Sequence, residues 1–95
     1  MKTLPAGLVS YRRTPQFDQS NVPKGLLGRH DTKAGTWALI QVLSGEIVDR
    51  ILEPLTEDHR LVPGSPGVVE PGVAHQLVLD GPVRFYVEFF RSDGD

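Results

Sequence analysis

The sequence predicts an all-β fold, a single domain of the sandwich, jelly-roll or small-barrel kind, and three observations point to it. Ten glycines and eight prolines punctuate 95 residues, a density of tight-turn signals that suits short strands better than helices. The runs between them, such as Leu39-Ile40, Val42-Leu43 and Val68-Val69, are β-branched or aliphatic. No stretch sustains a 3.6-residue period, and there is no internal repeat or low-complexity tract.

Taken in order, Leu8 to Arg13 reads as an edge strand whose arginines discourage unwanted pairing. Thr14 to Lys24, polar around Pro15 and Pro23, reads as an ordered loop. Leu26-Leu27 leads through Gly28-Arg29 into His30-Asp31-Thr32-Lys33, and Gly35 breaks the chain before the next run. Trp37 to Leu43 carries the strongest strand signal, with Leu39, Ile40, Val42 and Leu43 populating both faces, as in a strand buried on two sides. Ser44-Gly45 then reads as a hairpin turn, and Glu46 to Leu52 as its returning strand.

Pro54 to Asp58 is a polar connection, and His59 to Val62 a short strand stopped by Pro63-Gly64-Ser65-Pro66. Gly67 to Leu79 reads as a second hairpin turning at Pro71-Gly72. Asp80-Gly81-Pro82 makes a further turn before the last strand, Val83 to Phe90, with Phe85, Val87 and Phe89 on one face and Arg84, Tyr86 and Glu88 on the other. The total is seven or eight short strands within one domain spanning residues 1–95.

The totals exclude several classes of function. A net charge of −2 and a pI of about 5.9 argue against a nucleic-acid surface. With no cysteine, disulfides and thiolate metal ligands are excluded. The first seven residues lack the apolar segment of a signal peptide, and no apolar run approaches the ~18 residues of a membrane span. A soluble cytoplasmic protein is the expectation.

The candidate site lies in the second hairpin. If Glu70 and His75 flank its four-residue loop and face each other, their Cβ atoms lie about 4.5–5.5 Å apart on one face.

Two strings carry a resemblance. Val42-Leu43-Ser44-Gly45-Glu46 resembles the end of the first cupin motif. Gly67, Pro71, Gly72 and His75 resemble the second, with its five-residue gap shortened to three. His30-x-Thr32-Lys33-x-Gly35-Thr36-Trp37, followed by Glu70-Pro71 and His75, is similar to the small cupin-like domain of the TehB/YeaR-like family. That domain stands alone in some proteins and precedes a tellurite-resistance methyltransferase in others. The resemblance runs from about Leu8 to Phe90 and implies a cupin-like jelly-roll barrel. It also implies a tellurite, oxidant or nitrogen-oxide stress setting and a homodimer with sheets paired across subunits.

The full cupin ligand set is reduced here. His30 stands for the first histidine, Thr32 occupies the second position, and Ala38 lies where the glutamate would be, while His75 is kept. No S-adenosylmethionine-binding glycine loop follows, so methyl transfer is not implied.

His30 and His75 with Glu70 are nevertheless the ligand types of a two-histidine, one-carboxylate site for a divalent metal, Fe or Zn. Only the resemblance brings His30 to the others. The alternative is a metal-free Glu70–His75 hydrogen bond with His30 a polar loop residue. His59, preceded by Glu57-Asp58 and followed by Arg60, reads as a solvated strand end before it reads as a fourth ligand. Lys33 reads as solvated and Trp37 as core or rim packing. Arg84, Tyr86 and Glu88 read as a charge ladder facing water.

Three functions follow as expectations. The first is a binding domain whose barrel mouth holds a metal or a small polar ligand through His30, Glu70 and His75. The second is a metal-dependent oxygenase or isomerase using the same residues. The third is an interaction module with a vestigial pocket.

Overall fold

Two long antiparallel strands, β3 (Trp37–Ile51) and β6 (His75–Ser92), run side by side through the molecule, and the shorter elements attach to them. The computed structural model describes residues 3–92; Met1, Lys2 and residues 93–95 of the span read above as one domain lie outside the described residues. Along β6 pair β1 (Leu8–Arg13) and β2 (Phe17–Asp18); along β3 pair β4 (Glu57–Leu61) and β5 (Gly67–Val69). A single helical turn, α1 (Lys24–Leu27), lies between β2 and β3 in the chain, where only an irregular connection was expected.

The all-β expectation holds, but the strands form one bent six-stranded sheet whose path, β1-β6-β3-β4, leaves β1 and β4 as separate ends. The sheet is therefore open, not the closed barrel expected. Among the described residues, no helix is long and apolar enough to cross a membrane.

Neither of the two turns expected inside this ribbon exists. Ser44-Gly45 lies within β3, and Asp80-Gly81-Pro82 within β6. Leu43 is an extra residue on β3, and on the other side Glu46 alone faces Asp80-Gly81-Pro82, so the ladder is bulged twice in quick succession. Bulges bend a strand and increase its twist, and they use the same Gly and Pro chemistry as turns. Gly45 adopts φ +76°, and a Cβ there would lie 2.2 Å from the Pro82 carbonyl oxygen. That close approach needs glycine.

The bend folds both strands over one core. Above it, Ala38, Ile40 and Val42 lie opposite Phe89, Val87 and Phe85; below it, Ile47 lies between Leu61 and Leu79. Most of these residues, with Val69, Leu77 and Val83, make up the buried cluster. The other face of β3 is only partly covered. Trp37 is half-buried opposite Phe90, and Leu43 is exposed, so β3 is buried on one side and not two. On that outer face Arg13 lies 4.8 Å from the Tyr86 ring centre and 3.5 Å from Glu88, so of the ladder expected to face water Arg84 is exposed while Tyr86 and Glu88 are partly covered.

Candidate functional site

Below the bend, strict alternation continues on β3 as Ile47, Asp49 and Ile51, and all three point to the core side. The ladder sets Asp49 between His59 of β4 and Leu77 of β6, and Ile51 between Glu57 and His75. Two imidazoles and two carboxylates are thus delivered to one face by strand register alone. They line a cavity of about 570 Å³, closed on the far side by the segment from Gly67 to Val73, which includes Glu70.

His75 and Asp49 are 1% and 2% exposed, and His75 Nδ1 lies 2.9 Å from Asp49 Oδ1. A buried polar pair of this kind persists only where each group is satisfied. The carboxylate is the acceptor, so Nδ1 carries the proton and the ring's lone pair sits on Nε2. Nε2 is buried and has no hydrogen-bond partner among the described residues. An unmet acceptor in a cavity wall carries a desolvation cost of about 1–3 kcal/mol that a ligand donor would relieve. The ring can accept a hydrogen bond or a proton there, in an orientation held by Asp49.

His59 also faces the cavity. Its side chain is 25% exposed and its Nε2 lies 3.0 Å from Glu57 Oε1, so the strand end read as solvated is turned inward. Asp49 had no role in the sequence reading. Its signal was present as an acid at an inward position between Ile47 and Ile51, but the hairpin assumed at Ser44-Gly45 obscured which way it pointed.

The expected hairpin around Pro71-Gly72 is not formed in that register. β5 pairs with β3 through Ala38 and Val69, so Glu70 and His75 are not cross-strand partners. Val73 N–H closes a turn on the Glu70 carbonyl at 3.4 Å, and Gly72 N–H donates to the Thr32 carbonyl at 3.0 Å. Both residues still reach one cavity, Glu70 from the turn and His75 from β6.

His30 comes close by a different route. It forms an isolated antiparallel bridge with His75, with reciprocal backbone hydrogen bonds of 2.9 and 2.7 Å, and the ring centres are 6.3 Å apart. His30 Nδ1 lies 3.0 Å from the Gly28 carbonyl oxygen, and the ring lines a second cavity of about 440 Å³ on the other side of the bridge. The two imidazoles are neighbours through their backbones while their rings serve different chambers. Among the described residues, no three His, Asp or Glu side chains are gathered as a metal site. Glu70 and His75 thus share the lower cavity, while His30 joins them through its backbone bridge to His75.

Three comparisons place the chain. A family model described as "TehB-like domain" matches residues 12–87. The fold is similar to the crystal structure of a protein from E. coli (strain K12), with a TM-score of 0.88 at 20% identity over 97% of this chain and 98% of that one. It is also similar to TehB from Haemophilus influenzae, with a TM-score of 0.83 at 26% identity, covering 92% of this chain and 32% of TehB. The chain therefore spans about a third of TehB's length. No curated protein matches it.

Proposed function

This chain belongs to the TehB-like domain family, and from that premise we propose that it is a small ligand-binding domain whose site is the cavity around Asp49 and His75. We read its open, bent sheet as a cupin-like jelly roll. Its setting is cytoplasmic response to tellurite or oxidant stress, and it pairs as a homodimer. The observation that carries the binding role is the buried, unpartnered Nε2 of His75, a residue of the cavity lining.

The chemistry of the wall selects the ligand class. Asp49, Glu53, Glu57 and Glu70 all line the cavity, Glu53 paired with Arg29 outside it, and among the described residues no Lys or Arg lines it. Carboxylates and a lone-pair nitrogen are acceptors, so the ligand they suit is small, polar and rich in donors, such as an ammonium or amidinium compound. An oxyanion such as tellurite would meet like charge there, so the domain would serve tellurite resistance without holding tellurite in this cavity.

A divalent cation, Zn or Fe, is the second reading. One observation favours it: Asp49 behind Nδ1 is the usual partner of a metal-ligating histidine. It would require Glu70 and His59 to turn toward Nε2.

The test is ¹⁵N histidine NMR on untagged full-length protein, titrated separately with methylguanidinium, ethylenediamine, Zn²⁺ and Fe²⁺. A donor ligand moves the His75 Nε2 resonance, and His75→Phe abolishes its binding. Stoichiometric metal held through dialysis, with Nε2 as a ligand, would replace the first reading by the second. An Nε2 resonance that no probe moves sinks both.

A further inference from the structure

The geometry points to a second binding site, separate from the Asp49–His75 cavity, for a small apolar molecule bearing a carboxylate. The site is the 440 Å³ cavity above the bend, walled by Ala38, Ile40, Val69, Leu77, Val87 and Phe89. That size and a mainly apolar lining are what small-molecule sites have. Its threonine hydroxyls are already engaged, and the His30 ring is held through Nδ1 at the Gly28 carbonyl. Thr32 Oγ1 donates to the Thr36 carbonyl at 2.7 Å, and Thr14 Oγ1 accepts from Val87 N–H at 2.9 Å while donating to the Pro15 carbonyl. The deep part of the chamber therefore suits hydrocarbon.

The charge at its mouth is aimed by a bulge. β1 runs Leu8, Val9, Ser10 against Ser92, Arg91, Phe90, and unbroken pairing would set Arg12 against Glu88 on the outer face. Tyr11 is instead looped out, so Arg12 lies opposite Phe89 and Arg13 takes Glu88. Bulges re-aim side chains in this way. Phe89 belongs to the cavity wall, and the Arg12 guanidinium carbon lies 5.8 Å from its ring centre. Among the described residues, Arg13, Arg29, Arg50 and Arg60 each pair with a carboxylate, whereas Arg12, like Arg84 and Arg91, forms no ion pair, and of these three Arg12 alone lines the chamber. A guanidinium at the rim of a hydrocarbon chamber is complementary to a carboxylate on an apolar body. Asp31, also at the rim, would favour an amine head instead, and the test sets the two against each other.

Entry is through the cover. Phe17, Val22 and Leu26 pack over the core from a segment held by two ladder pairs of β2, the one turn of α1 and two hydrogen bonds to β6, from Gln76 Nε2 to the Leu27 carbonyl and from Val83 N–H to Gln19 Oε1. Few backbone bonds need to open to admit a ligand.

Methyl-labelled full-length protein titrated with benzoate, benzyl alcohol and benzylamine tests the site. Benzoate should shift the methyl signals of Ile40, Val69, Leu77 and Val87. Arg12→Gln should weaken benzoate about tenfold while leaving benzyl alcohol within about twofold. Ala38→Leu, which fills the chamber, should abolish both; Val87→Ile is the milder filling variant if Ala38→Leu loses its dispersed spectrum. Silent methyls at millimolar benzoate, benzylamine binding there as tightly as benzoate, or filled variants that bind unchanged would each overturn the proposal.

Discussion

Above Gly45 the ribbon of β3 and β6 buries only hydrocarbon; below it the same two strands bury an aspartate and a histidine. Both halves obey one alternation, so the difference comes from residue choice at inward positions and not from a change of architecture. Ala38, Ile40 and Val42 make a core wall, while Asp49, flanked by Ile47 and Ile51, makes a site. A scaffold tolerates such a pair only where its polar groups satisfy each other, so the lower half should be the more sensitive to single substitutions.

The sharpest way to break this contrast is to remove one partner of the buried pair. His75→Phe leaves the buried Asp49 carboxylate without its donor and should destabilise the fold by about 3–5 kcal/mol in urea unfolding. The double variant Asp49→Leu with His75→Phe should recover most of that loss while abolishing ligand effects in the lower cavity. A double variant no more stable than His75→Phe would mean that the pair is structural.

Next in size is the hinge between the halves. Gly45→Ala combines a positive φ with a collision against backbone and should cost about 3 kcal/mol. A loss under about 1 kcal/mol would show that the two strands can part at the bend. Smaller again is Gly67→Ala, whose Cβ would meet Leu61 Cδ1 at 2.6 Å in the wall of the lower chamber; overpacking there should cost about 1–3 kcal/mol.

The smallest effect is at the surface of the lower half, where Arg50 Nε lies 2.8 Å from Asp58 Oδ1 across β3 and β4. The side-chain hydrogen bond from Arg50 holds the Asp58 carboxyl below its ordinary value of 3.8. A depressed carboxyl contributes stability above the unfolded value and loses it as pH falls through the folded one. Arg50→Met should therefore flatten the stability profile slightly in the acid range below about pH 4 and leave it parallel above. The pair is exposed, so solvent screening keeps the effect small.

The strand class, the edge arginines and the positions of Trp37 and the Phe85-Val87-Phe89 face were legible because period-two patterning is a local property. Strand continuity was not. Ser44-Gly45 and Asp80-Gly81-Pro82 carry chemistry that ends a strand or bends it, and the choice depends on whether a partner bends at the same height. The site followed the same rule. His75 and Glu70 were found from a motif, but their expected cross-strand pairing failed because β5 pairs with β3. Asp49 was missed and His59 set aside as a solvated strand end because their direction depends on register across β4, β3 and β6, which no single segment reveals.

The reciprocal bonds between His30 and His75 have a further consequence. They form a party wall, with one ring furnishing each room, and the wall is two hydrogen bonds thick. A tenant that pushes on either ring leans on the backbone that carries the other, so filling one room should alter the width of the next.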